Sequence, residues 1–216
     1  MSPEYFLMTT DNKIIIFDLW QTLADSALKP LDLFDILFKF NKIMSKDGFC
    51  KILFKSDLYL KDLPLEKGLE NLLSDFGISN KEKLGTAISL WKEMVQKSFL
   101  IDGSETVLMA LKSRGYKLCL LTNIDKYGYE NFPYKDFLNH FDYQFLSYSK
   151  GLRKPDRKCW EVIRNYYRTD YKNMIMIGDS IDNDIIPSED IGVSTILIDA
   201  EKEVDVYGKV YATLLK

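Results

Sequence analysis

IIIFDLWQTLADS, residues 14–26, runs from four consecutive apolar β-formers into a single carboxylate, Asp18, and then into a Gln-Thr turn. A run that is continuously apolar rather than alternating describes a strand covered on both faces, as in a parallel sheet flanked by helices. The pattern recurs at Lys117–Leu121, Tyr143–Leu146, Met174–Ile177 and Thr195–Ile198. Between the second and third runs lies a short loop-and-helix stretch, and KPDRKCWEVIRNYYR separates the third from the fourth as a helix with Trp160, Ile163 and Tyr167 on one side. This alternation predicts an α/β fold with a Rossmann-like parallel sheet.

One segment breaks the alternation. From Ala27 to Leu100 helical patterns follow one another: LDLFDILFKFNKIM, PLEKGLENLLSDFG and NKEKLGTAISLWKEMVQKSF, punctuated by Gly48, Pro64 and Gly77, with Asn80 placed to cap the last. The chain therefore divides into a core of residues 1–26 and 101–216 and an α-helical insertion of residues 27–100 after the first strand. Phe34, Leu37, Phe38, Leu69, Leu72, Leu73, Leu90, Trp91 and Met94 are expected to form the core of that insertion. VDVYGKVYATLLK reads as a terminal helix packing by its aliphatic face.

With 46% hydrophobic and 28% charged residues and a net charge of −3, the 216-residue chain has an ordinary globular profile. Its 29 basic residues face 32 acidic ones without a basic stripe, which excludes a nucleic-acid footprint and leaves a small molecule as the expected partner. No apolar run approaches the ~20 residues that span a bilayer, so no membrane span is expected. The start lacks the basic and apolar regions of a signal peptide. Cys50, Cys119 and Cys159 are scattered and suit a reducing compartment, so the expected location is cytoplasmic.

In an open α/β sheet the chemistry gathers at the carboxyl ends of the strands. Asp18 ends the first; LCLLTN delivers Thr122 and Asn123; GLRKPD carries Lys154 after the third; IGDSIDND brings Asp179, Asp182 and Asp184. Singly, each has a structural use as a cap, a turn or a helix start. Together and in this order they put a nucleophilic carboxylate, a hydroxyl, an ammonium and an acidic cluster at one crevice. That set suits phosphoryl transfer with Mg²⁺, because hard oxygen ligands hold the metal, cations neutralise phosphoryl oxygens and a carboxylate is phosphorylated.

These four segments resemble the four motifs of the haloacid dehalogenase superfamily: FDLWQTL, LLTN, RKPD and GDSIDND, over nearly the whole chain from Lys13 to Asp199. The helical insertion falls where that family places a small α-helical cap. The resemblance implies a hydrolase in which Asp18 is the nucleophile and Thr122 and Lys154 grip the transferring group. Asp18, the backbone carbonyl of Trp20 and Asp179 would bind Mg²⁺, with Asp184 supporting the metal site or Lys154. Asn123 and the Trp20 side chain are the expected substrate contacts.

The departure from the family's phosphatases lies two residues after Asp18, where a second Asp usually acts as general acid and this chain has Trp20. An indole supplies no useful proton, so a contribution of about 10²- to 10⁴-fold is missing from that step. An aromatic residue at this place resembles the 2-haloacid dehalogenases. They, however, resemble SSNxxD at the fourth motif and use a cap Arg, and no Arg precedes Arg114 here. The expected activity is a Mg²⁺-dependent phosphatase acting on a small phosphorylated metabolite. The alternatives are a dehalogenase-like hydrolase, a phosphonate-cleaving relative using Lys46, Lys51, Lys55 or Lys61, and a non-catalytic interaction protein of the same fold. His140, the one histidine, is expected at the surface.

Overall fold

The computed structural model describes residues 13–30, 35, 52–53, 55–200 and 205–215. The first helical pattern, with Phe34, Leu37 and Phe38, lies outside these residues, as do Cys50, Lys46 and Lys51. The described strands are β1 (Ile14–Phe17), β2 (Ala24–Ser26), β3 (Ser98–Leu100), β4 (Lys117–Thr122), β5 (Tyr143–Leu146), β6 (Met174–Gly178) and β7 (Ser194–Leu197). Five of them form a parallel sheet in the order β5-β4-β1-β6-β7. The α/β expectation holds, with β7 beginning one residue earlier than expected and β4 and β6 each extending one residue further, to Thr122 and Gly178.

The two faces of the sheet explain the unbroken apolar runs. Ile15, Phe17, Leu118, Leu120, Ile175 and Ile177 join one core with Val107, Leu108 and Leu111 of the helix Ser104–Ser113 and Val210 of the helix Gly208–Leu214. Ile14, Ile16, Cys119, Leu121, Met174 and Met176 form a second core with Cys159, Trp160 and Ile163 of the helix Lys158–Tyr167. Successive side chains point to opposite faces, so a strand buried on both must be apolar at every position.

A third core is separate. Leu65, Leu69, Leu72 and Leu73 of the helix Leu65–Asp75 pack with Ala87, Trp91, Met94 and Val95 of the helix Lys81–Gln96, and with Leu58 and Tyr59. Asn80 caps the second helix by accepting from the Lys83 amide at 3.0 Å, and Leu90 is partly buried against this core. The chain leaves and re-enters the main body through a short antiparallel pair, β2 with β3, in which Ser26 faces Ser98. The sequence pattern did not suggest this pair; three residues of mixed polarity carry no readable period. No helix among the described residues is long and apolar enough to cross a membrane.

Candidate active site

Because β1, β4 and β6 are adjacent and parallel, Asp18, Thr122 and Asp179 emerge from the same edge of the sheet. Lys154 enters from the loop after the short helix Ser147–Lys150 and is itself buried. Its ammonium donates to Asp18 Oδ1 at 2.6 Å and to Asp184 Oδ1 at 2.5 Å. Asp18, Asp179 and Asp184 each present an oxygen within 4.8 Å of the others. Asp184 also accepts from the Ser180 amide through its second oxygen at 3.1 Å, so it orients both Lys154 and the loop that carries Asp179. Gly178 is required here, since a Cβ in its place would stand 2.4 Å from Asp184 Oδ2.

The electrostatics follow from burial. Burial pushes the Asp18 carboxyl far above the usual range; Lys154 opposes this while the charges of Asp184 and Asp179 reinforce it. Asp179, half-buried, is raised for the same first reason and then by Asp184. Burial alone would lower the Lys154 ammonium, but Asp18 and Asp184 more than offset it and hold the group charged. One ammonium against three carboxylates leaves the cluster net acidic, which is the donor set a hard divalent cation takes.

The other expected residues are placed as follows. The Thr122 hydroxyl is fully buried and makes no hydrogen bond among the described residues, which leaves a buried donor unpaired at this strand end. Asn123 clasps the Lys154 backbone, accepting from its amide at 2.9 Å and donating to its carbonyl at 3.1 Å. The expected substrate contact thus holds the lysine in place, although Asn123 also lines a neighbouring cavity. Trp20 is half-buried and meets Phe132, a residue of the core, edge-to-face at 6.0 Å. Asp182 is exposed, as are Lys55 and Lys61, and His140 faces Glu105 at 3.1 Å.

A cavity of about 150 Å³ lies between the sheet and the inserted helices, lined from one side by Trp20, Asn123 and Asp125 and from the other by Tyr59, Met94 and Val95. Two features here had only faint sequence signals. Thr22, whose hydroxyl lies 3.5 Å from Asp179 Oδ1, is held through its carbonyl by the Tyr207 hydroxyl at 2.7 Å. Asp125, readable as an N-cap from the IDKYG pattern, is buried and bonded to Trp91.

Comparison with known proteins agrees with this geometry. A family model described as haloacid dehalogenase-like hydrolase matches residues 12–192. The pyrimidine 5'-nucleotidase PynA of Streptococcus pneumoniae is 26% identical over 205 residues, which cover 85% of this chain and 82% of that protein. The glyceraldehyde 3-phosphate phosphatase of Pyrococcus abyssi is 24% identical over 97 residues, 44% of this chain and 41% of that protein, so this chain spans less than half of that relative. Among solved structures, a haloacid dehalogenase family enzyme of Bacteroides thetaiotaomicron, in complex with magnesium and inorganic phosphate, shares the fold at a TM-score of 0.60 and 21% identity, over 89% of this chain and 96% of that one. With four motifs at adjoining strand ends and a family match over most of its length, the chain belongs to the haloacid dehalogenase-like hydrolases.

Proposed function

We propose that this hydrolase is a Mg²⁺-dependent phosphatase for small phosphorylated metabolites, working through a phosphorylated Asp18. The observation that carries the reading is the buried Lys154 ammonium, donating to Asp18 and Asp184 beside Asp179. Isolated buried charge is costly, so a cluster of this kind is poorly explained by packing. The nucleotidase and phosphatase names of the relatives favour phosphate esters over haloacids.

In the proposed reaction an Asp18 oxygen attacks phosphorus, the bond from phosphorus to the leaving oxygen breaks, and that oxygen departs with its electron pair. Lys154 screens the charge that Asp18 and the phosphoryl oxygens bring together, and the Thr122 hydroxyl donates to a phosphoryl oxygen. Water then attacks phosphorus, frees orthophosphate and restores the Asp18 carboxylate. Asp18, the Trp20 carbonyl and Asp179 would hold the Mg²⁺, which when bound adds positive charge for the transferring group. Trp20 cannot protonate the leaving oxygen, so acyl and aryl phosphates are the favoured substrates. Residues 27–100 act as a cap over the core of residues 1–26 and 101–216.

Phosphate release from an aryl phosphate with and without Mg²⁺, measured beside chloride release from a 2-haloacid, tests the reading. Mg²⁺-dependent phosphate release that disappears in Asp18→Asn is expected, because an amide is a poor nucleophile. Chloride release without metal would move the assignment to the dehalogenase branch, and no turnover of either class would favour a non-catalytic protein.

A further inference from the structure

The residues immediately after Thr122 and Asn123 are tied to the inserted helices more closely than a surface loop requires. Asp125 opens the helix Lys126–Glu130 and is 4% exposed. Its Oδ1 accepts from the Gly128 amide at 2.9 Å, the bond an N-cap needs. Its Oδ2 accepts from the indole Nε1 of Trp91, on the helix Lys81–Gln96, at 3.3 Å. Lys126 pairs with Asp62 at 2.6 Å, and Tyr127 packs against the core of the inserted helices, with the Lys92 ammonium 5.7 Å from its ring centre. Capping alone would be met by Asn or Ser. Here two donors arrive from different elements, and each meets its own oxygen of the carboxylate. This one is kept despite burial that pushes its carboxyl up to about 6.

We infer that Asp125 is a positioning residue, which through the Trp91 indole couples the loop carrying Thr122 and Asn123 to the helix Lys81–Gln96 and sets how the inserted segment stands over the reaction centre. The inference rests on the phosphatase reading of that centre. Asn123 transmits the coupling, because its side chain holds the backbone of Lys154 while its own backbone lies two residues from Asp125. Asp125 also lines the cavity beside Trp20, so a displaced helix would change the wall that a leaving group meets.

The test is a double-mutant cycle of Asp125→Asn and Trp91→Phe, with kcat and KM measured on an aryl phosphate in Mg²⁺. Asn preserves the cap to Gly128 and loses the Trp91 bond; Phe loses the bond and keeps an aromatic ring. Each single variant is expected to lower kcat/KM on the order of tenfold, and the double variant to fall no further than the worse single, as for two ends of one interaction. In Trp91→Phe the backbone amide resonances of Thr122 and Asn123 should shift, a readout that needs no turnover. Loss in Asp125→Asn with Trp91→Phe within twofold of wild type would show that Asp125 does not act through Trp91 and overturn the inference. Additive losses, or unmoved Thr122 and Asn123 resonances, would overturn it as well. A wild-type protein that hydrolyses no phosphate ester defeats the phosphatase reading, while the resonance shifts still decide the coupling.

Discussion

Replacing Lys154 by Met removes the one ammonium from a site with three carboxylates. The motif alone suggests a loss of activity larger than any loss of stability, but the structure adds a substantial stability cost. The Lys154 side chain is 3% exposed and bonded to Asp18 and Asp184, whose side chains are 10% and 0% exposed. Removing one partner of a buried pair typically costs about 3–5 kcal/mol. In a chain of this size 1 kcal/mol moves Tm by about 2–4 °C, so a fall of roughly 6–20 °C is expected. The sign with pH follows from the shifts. Lys154 is raised, so its stabilisation is fully present below the ordinary lysine value and lost only as pH climbs through its higher folded value. The wild-type contribution from Lys154 is therefore flat near neutrality. Asp18 is raised too, and without the ammonium it rises further; a raised carboxyl favours the fold below its unfolded value and loses that contribution as pH rises. The variant's deficit should accordingly widen chiefly above about pH 8, where wild-type Asp18 begins to ionise in the fold while the variant's stays protonated. Thermal melts of metal-free protein from about pH 5 to about pH 9, repeated with Mg²⁺, are the assay, and added Mg²⁺ should narrow the deficit by binding the folded state. A Tm within about 2 °C of wild type at every pH, or a deficit that shrinks as pH rises, would refute the burial argument.

Asp179→Ala should weaken Mg²⁺ binding by on the order of tenfold or more, since a charged oxygen ligand is lost; calorimetric titration with Mg²⁺ reads this without turnover. Trp20→Asp should raise alkyl phosphate hydrolysis by up to roughly 10²-fold with little change on an aryl phosphate, and equal changes on both would make Trp20 a packing residue of the Phe132 contact. Asp125, pushed up to about 6 from 3.8 by burial, contributes about 3 kcal/mol that is present below pH 3.8 and lost as pH rises through 6. Urea melts of Asp125→Asn should therefore show a flatter stability profile between those pH values than wild type.

The parts of this protein legible in the sequence are those written in local periods and at strand ends. Ile14–Phe17 and Met174–Ile177 announce a sheet buried on both faces because every position along them must be apolar. The order of polar residues closing those strands is enough to anticipate that Asp18, Lys154, Asp179 and Asp184 meet, since parallel strands bring their carboxyl ends to one edge. The helical insertion between β1 and β4 is likewise readable from its period.

What only the tertiary structure decided are pairings between residues far apart in the chain, for which no local pattern exists. Asn123 reads as a substrate contact from its motif, yet its amide is satisfied by the Lys154 backbone 31 positions away. Trp20 meets Phe132, and Asp125 meets Trp91 across 34 positions, although the sequence marks Asp125 only as a cap and Trp91 only as an apolar residue on a helix face. The β2–β3 pair joins Ala24 to Leu100 through two strands too short to show a period. The depth of Lys154 is also a tertiary property. A Lys-Pro-Asp taken singly reads as a helix start, and its lysine becomes a buried ammonium because Asp18 and Asp184, far apart in the chain, converge on it. Local sequence sets the strand and helix periods and the order of polar residues along them; the burial that raises Asp18 and holds Lys154 charged comes from elements that meet only when the sheet is assembled.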